Sequence, residues 1–122
     1  MAAYVMLVDD SAMVRLQASR ALLAAGFGVI EATDGLDALE KIATTDDVAL
    51  IICDVNMPRM GGLELVEALS HIGAAPPPVI MLTTEGHPDL VRTAKACGAR
   101  GWMVKPFKPE LLVAAARKVI GH

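Results

Sequence analysis

The 122-residue chain predicts an α/β fold, a five-stranded parallel sheet covered by helices on both faces. Three observations predict it. Short apolar runs alternate with amphipathic helical patterns from one end to the other. The runs are almost continuously apolar, as strands buried on both faces must be. Four of them, Tyr4–Val8, Leu50–Cys53, Val79–Leu82 and Trp102–Val104, end in reactive residues: Asp9-Asp10, Asp54, Thr83 and Lys105.

The elements follow in order. After the first strand, Tyr4–Val8, the residues Val14, Ala18, Ala21, Leu22 and Ala25 recur at helical spacing, and Gly26 ends that helix. Gly28–Ala32 is the second strand, the weakest in apolar character and therefore an edge. Asp34 caps a helix on which Leu36, Leu39 and Ala43 are predicted to share a face. The third strand, Ala49–Cys53, leads through the loop Val55–Gly61 into a helix from about Leu63 to Ser70, with Leu65, Val66 and Leu69 inward. Pro76-Pro77-Pro78 is a stiff extended lead-in to the fourth strand. The fourth helix follows His87-Pro88, carries Leu90, Ala94 and Cys97 on one stripe, and stops at Gly98. Gly101–Val104 is the fifth strand. The last helix begins near Lys108 with Leu112, Ala115, Ala116 and Val119 inward.

The length predicts one domain spanning residues 1–122, with no output domain. Hydrophobic residues make up 54% of the chain and aromatics only 3%, so aliphatic side chains and Met must fill the core. No apolar run approaches a membrane span and no basic-then-apolar leader is seen, which predicts a soluble, cytoplasmic protein without membrane insertion. Cys53 and Cys97 read as small buried hydrophobes. His71, His87 and His122 have no metal-ligand spacing and read as surface residues. The net charge of −3 conceals a division: residues 1–90 carry −9 and residues 91–122 carry +6. Such a separation can steer an acidic partner, although individual bases also serve simply to solvate helix faces.

Ligands of open α/β sheets bind beyond the carboxyl ends of the strands, where the four reactive endings converge. Taken alone, Asp9-Asp10 reads equally well as a helix cap, and Thr83 reads more commonly as a turn residue. Asp54 is harder to explain structurally, because a carboxylate behind Leu50–Cys53 suffers desolvation unless a cation is near. Crowded carboxylates take up protons or bind a cation, and Mg²⁺ suits such oxygen-rich sites. Lys105 can hold a phosphoryl oxygen or pair with Asp54, and the Thr83 hydroxyl can bond a further oxygen.

Val8-Asp9-Asp10-Ser11, Asp54-Val-Asn-Met-Pro58 with Gly61, Thr83 and Lys105-Pro106-Phe107 together resemble the receiver domain of bacterial two-component response regulators. The nearest type is the CheY-like single-domain chemotaxis regulator, and the resemblance spans the whole chain. It implies a flavodoxin-like (βα)5 three-layer sandwich with sheet order 2-1-3-4-5. It implies that Asp54 is the phosphoacceptor, served by Lys105 and Thr83. Asp9, Asp10, Asp54 and the backbone carbonyl of Asn56 are then the Mg²⁺ ligands, and Pro106 follows a cis peptide bond. Thr83, Thr84 and Trp102 are the switch positions, and the output face includes Arg92, Lys95 and Arg100. Asn56 and Glu85 bear on phosphoryl lifetime. The sequence departs from the pattern twice: Trp102 stands where Tyr or Phe is commoner, and Thr84 where Ala, Gly or Ser is commonest.

The resemblance also implies partners: a CheA-like histidine kinase and a downstream protein target such as the flagellar motor switch, with no DNA binding and a monomeric state. The protein is then no enzyme beyond phosphorylating and dephosphorylating itself. A phosphate sink or phosphorelay intermediate is the alternative within the family. A small phosphohydrolase of the haloacid dehalogenase type is a remote alternative. It calls for Asp-x-Asp after the first strand and a cap insertion, whereas this chain has Asp54-Val-Asn56 on the third. Flavin binding lacks a phosphate loop after Val8, and nucleotide binding at the basic face lacks an arginine-rich insert.

Overall fold

A computed structural model describes residues 4–45, 47–71, 76–84 and 88–121. Glu85, His87 and His122 lie outside the described residues, as do the side chains of Pro88, Leu90 and Cys97. Five strands alternate with five helices: β1 (Tyr4–Val8), α1 (Ala12–Ala24), β2 (Gly28–Ala32), α2 (Gly35–Thr44), β3 (Val48–Asp54), α3 (Gly62–Ser70), β4 (Val79–Thr83), α4 (Pro88–Cys97), β5 (Gly101–Val104) and α5 (Pro109–Ile120). All pairings are parallel and the sheet order is β2-β1-β3-β4-β5, the flavodoxin-like arrangement. The order reverses between β1 and β3, which opens a crevice at their carboxyl ends.

The sheet divides the interior into two half-cores. Met6, Val8, Ile51, Cys53, Val79 and Met81 face one side, packed against Ala38 of α2, Leu65, Val66 and Leu69 of α3, and Ala94 of α4. Val5, Leu7, Leu50, Ile52, Ile80 and Leu82 face the other, against Ala18 and Leu22 of α1 and Leu112 and Ala116 of α5. Successive strand residues point to opposite faces. With both faces apolar, no polar alternation survives in β1, β3 or β4. The edge strands β2 and β5 are only partly buried. Burying a Leu or Ile in either half-core contributes about 1.5–3 kcal/mol.

The helix starts are set locally. Ser11 caps α1 by accepting from the Val14 N–H at 3.3 Å, and Asp34 caps α2 by accepting from the Asp37 N–H at 2.9 Å. Pro109 opens α5, where its missing N–H costs nothing, and Gly121 ends it in the left-handed region. The inward residues expected on α3 and α5 pack against the half-cores, as do Val14, Ala18 and Leu22 of α1 and Ala25 at its end, but α2 corrects the sequence reading. Its inward stripe is Gly35 and Ala38 with Leu39 and Ile42 beside them, whereas Leu36 and Ala43 are exposed. The cause is a close approach: a Cβ on Gly35 would lie 2.6 Å from Cγ of Met60. The face that comes nearest its neighbour must carry the smallest side chains, and these give little hydrophobic signal. No helix among the described residues is long and apolar enough to cross a membrane.

Candidate functional site

Strand register alone brings the reactive endings together. Val8 pairs with Cys53, so Asp9 and Asp54 emerge side by side from β1 and β3. Asp54 pairs with Leu82, and Thr83 with Val104, which sets Thr83 and then Lys105 along the same edge. Asp54 and Thr83 are the last residues of their strands, one residue further than the apolar runs indicate. The ladder therefore fixes their backbones.

One ligand oxygen each from Asp9, Asp10 and Asp54 lies within 4.8 Å of the others. Asp9 and Asp54 are buried, and Asp10 is exposed at the rim. The Lys105 ammonium donates to Asp9 Oδ2 at 2.7 Å and lies 3.4 Å from Asp54 Oδ2. The Lys105–Pro106 bond is cis. Asp54 Oδ1 also accepts from the Asn56 N–H at 3.4 Å, and Asp9 Oδ1 from the Ser11 N–H at 2.8 Å. Thr83 is fully buried, and its carbonyl accepts from the Lys105 N–H at 2.7 Å.

The electrostatics follow from this crowding. Burial first, and then the charge of Asp9, push the Asp54 carboxyl above its ordinary value of 3.8, against the opposing pull of Lys105. Burial on its own would lower Lys105; the hydrogen bond and charge of Asp9, joined by Asp54, override it and leave the ammonium more basic than usual. Cys53, next to Asp54 and facing the core, has its thiol pushed far up by burial and by both carboxylates, so it is inert. Three carboxylates against one ammonium leave surplus negative charge on hard oxygen donors. That donor set fits a divalent cation such as Mg²⁺.

The remaining positions are arranged around this edge. Exposed Thr84 borders a groove of about 470 Å³ with Val14, Gln17, Lys105, Pro106, Phe107 and Pro109. Trp102 is half-buried against the half-core of Val66 and Met81, and its buried Nε1–H has no hydrogen-bond partner among the described residues. Arg92, Lys95 and Arg100 are exposed, with Arg92 paired to Asp89 on its own helix. Among the described residues the carboxylate cluster is paired with Lys105 and with none of these three. Glu85 falls outside the described residues.

Residues with no sequence signal also take part. Arg15 reaches from α1 to the Asp9 carbonyl at 2.5 Å and to Glu31 at 3.1 Å, tying the acidic turn to β2. Gly62 lets α3 start directly beneath the site, since a Cβ there would lie 2.3 Å from the Asp54 carbonyl oxygen. Arg59 forms a two-bond fork with Asp34. Its one local hint is a backbone φ of 63°, which nothing in the residue type announces.

Comparison with known proteins agrees with this geometry. Residues 5–117 match the family described as response regulator receiver domain. The chain is 38% identical over 118 residues to chemotaxis protein CheY1 of Helicobacter pylori, covering 95% of each protein. It is 37% identical to a chemotaxis protein CheY homolog of Campylobacter jejuni, covering 95% of this chain and 91% of that protein. Among solved structures, chemotaxis response regulator CheY4 of Vibrio cholerae superposes with a TM-score of 0.86 at 42% identity, covering 98% of this chain and 99% of that one.

Proposed function

Because the chain belongs to the response regulator receiver domain family, we propose that it is a chemotaxis regulator switched by phosphorylation of Asp54. The observation that carries this reading is the placing of Asp54 between a second buried carboxylate and a fixed ammonium, at the sheet's switch point. Asp9, Asp10, Asp54 and the Asn56 carbonyl would hold Mg²⁺, which would supply positive charge to offset that of the transferring phosphoryl group.

Asp54 supplies the nucleophile. One carboxylate oxygen forms the new P–O bond while the P–N bond of a phosphohistidine donor breaks, and its electron pair returns to the imidazole nitrogen, which takes up a proton. Lys105 turns from its carboxylate partners to a phosphoryl oxygen, supplying a compact positive charge where negative charge gathers. The Thr83 hydroxyl bonds a second phosphoryl oxygen. The product carries about −1.5 to −2 charges and several strong acceptors in place of one carboxylate charge, enough to redraw the contacts of Lys105 and Thr83. Water then attacks phosphorus as the P–O bond to Asp54 breaks, which releases inorganic phosphate and a proton and restores the Asp54 carboxylate, and Asn56 and Glu85 tune how fast.

The partners match this role. A CheA-like histidine kinase is the donor, and a protein such as the flagellar motor switch is the target, met by the face that bears Arg92, Lys95, Arg100 and Trp102. The relatives' names place them in chemotaxis, and the division of charge suits an acidic partner at the basic end.

Incubation with radiolabelled acetyl phosphate and Mg²⁺ tests the acceptor. Wild-type protein is expected to take up label in an acid-stable, base-labile form, and Asp54→Ala to take up none. Undiminished labelling of Asp54→Ala would sink the assignment.

A further inference from the structure

The loop from Val55 to Gly61, between β3 and α3, carries Asn56 and so the carbonyl assigned above to Mg²⁺. We infer that the Asp34–Arg59 pair is a positioning clamp which holds this loop over the carboxylates, and so sets the affinity for Mg²⁺. The inference rests on the metal site proposed above.

The clamp joins two elements that carry no common ligand. Arg59 donates from Nε to Asp34 Oδ2 at 2.8 Å and from its second terminal nitrogen to Asp34 Oδ1 at 3.0 Å. A two-bond fork fixes direction as well as distance, which a lysine cannot do. Asp34 is a firm anchor: it is buried, and Oδ1 also caps α2 through the Asp37 N–H. The next residue along each chain repeats the contact, with the Gly35 N–H donating to the Met60 carbonyl at 3.0 Å. Gly35 is needed there, since its Cβ would lie 2.9 Å from that same carbonyl oxygen.

The loop is thus held at its base and at its tip. At the base the Gly62 N–H donates to the Val55 carbonyl at 2.9 Å, directly below Asp54. At the tip Arg59 adopts a left-handed φ of 63°, a conformation that non-glycine residues hold at a cost. The fork to Asp34 is what retains it. Asn56 sits between these two points, with its N–H bonded to Asp54 at a long 3.4 Å. Releasing the tip lets the loop pivot on its base and carries the Asn56 carbonyl out of register with the carboxylates. Partners one shell out from a metal commonly alter affinity about 10–100-fold. The solvent exposure of Arg59 puts this clamp at or below the bottom of that range.

Calorimetric titration with Mg²⁺ alone tests the clamp on wild type, Arg59→Asn, Arg59→Lys, Asp34→Asn and the double variant Asp34→Asn/Arg59→Asn. Asn tolerates the left-handed region at 59 and keeps the helix cap at 34, so each variant removes the fork with little else. The Mg²⁺ Kd is expected to rise about 5–10-fold in both Asn single variants, with Arg59→Lys in between. The double variant is expected to be no worse than either single, because both break the same link. Acetyl phosphate labelling is expected to slow at limiting Mg²⁺ and to recover at saturating Mg²⁺, which a general loss of fold would not do. A Kd within twofold of wild type in both single variants overturns the clamp and leaves the metal site standing. Wild-type protein that binds no Mg²⁺ overturns both.

Discussion

Asp54 and Asp34 are buried carboxylates with opposite electrostatic balances, and their responses to pH differ in sign. Asp54 is pushed up by burial and by Asp9, so its folded value lies above the ordinary 3.8. In metal-free protein the cost of its charge is absent below about pH 3.8, grows as pH rises through the folded value, and is fully present at neutrality. Asp54→Asn is therefore expected to raise the melting temperature at pH 7 in chelator by about 2–5 °C, allowing for screening by water at the site. That gain should vanish on acidification below pH 3.8. Asp34 is lowered by the hydrogen bond from Arg59 and then by the Asp37 N–H. Its stabilisation is complete above pH 3.8 and is lost as pH falls through the lower folded value. Asp34→Asn should lower the melting temperature at pH 7 by roughly 2–4 °C and converge on wild type in acid. Thermal melts of both variants from pH 3 to 7 check the two signs. Both acids were readable locally, Asp54 because it terminates an apolar run and Asp34 because it precedes a helical pattern. The Arg59 fork was not, since Arg59 and Asp34 are 25 positions apart and nothing local links them.

At the scale of elements, the site depends on how closely helices approach strand ends. α3 begins so near β3 that a Cβ on Gly62 would sit 2.3 Å from the Asp54 carbonyl and 2.6 Å from Cε of Met81. A methionine terminus can move aside, but a strand carbonyl cannot. Gly62→Ala is expected to cost about 2–3 kcal/mol by urea denaturation and to weaken acetyl phosphate labelling, as α3 is forced away and Asp54 shifts with its strand. The same closeness misleads a reading of α2. Hydrophobic periodicity favours Leu36 and Ala43, yet the helix turns Gly35 and Ala38 inward, and at Gly35 Met60 leaves room for nothing larger. Periodicity succeeds on α3, where Leu65, Val66 and Leu69 are large enough to mark the face that packs. Trp102 on β5 follows from its strand position, but the burial of its N–H depends on how deep the indole settles against the half-core.

For the whole molecule, Mg²⁺ binding couples the site to global stability. A ligand that binds only the folded state at one hundred times its Kd stabilises by about 2.7 kcal/mol. Replacing such a Mg²⁺ concentration with chelator should lower the melting temperature by about 7–12 °C, and Asp54→Ala should show a much smaller difference. Equal melting temperatures with and without Mg²⁺ would contradict the site. The sequence by itself determined the alternation of strands and helices, the parallel sheet and the residues at the strand ends. Those features come from local patterning: strands buried on both faces read as unbroken apolar runs, and their polar ends fall at the crevice. Tertiary structure alone decided the register that sets Asp9 beside Asp54 and gives Asp9 the closest contact with Lys105. It also decided the inward face of α2 and the pinning of the loop between β3 and α3 by Asp34, Gly35 and Arg59. These depend on distances between segments remote in the chain, fixed only when both half-cores close on the sheet and the backbones meet.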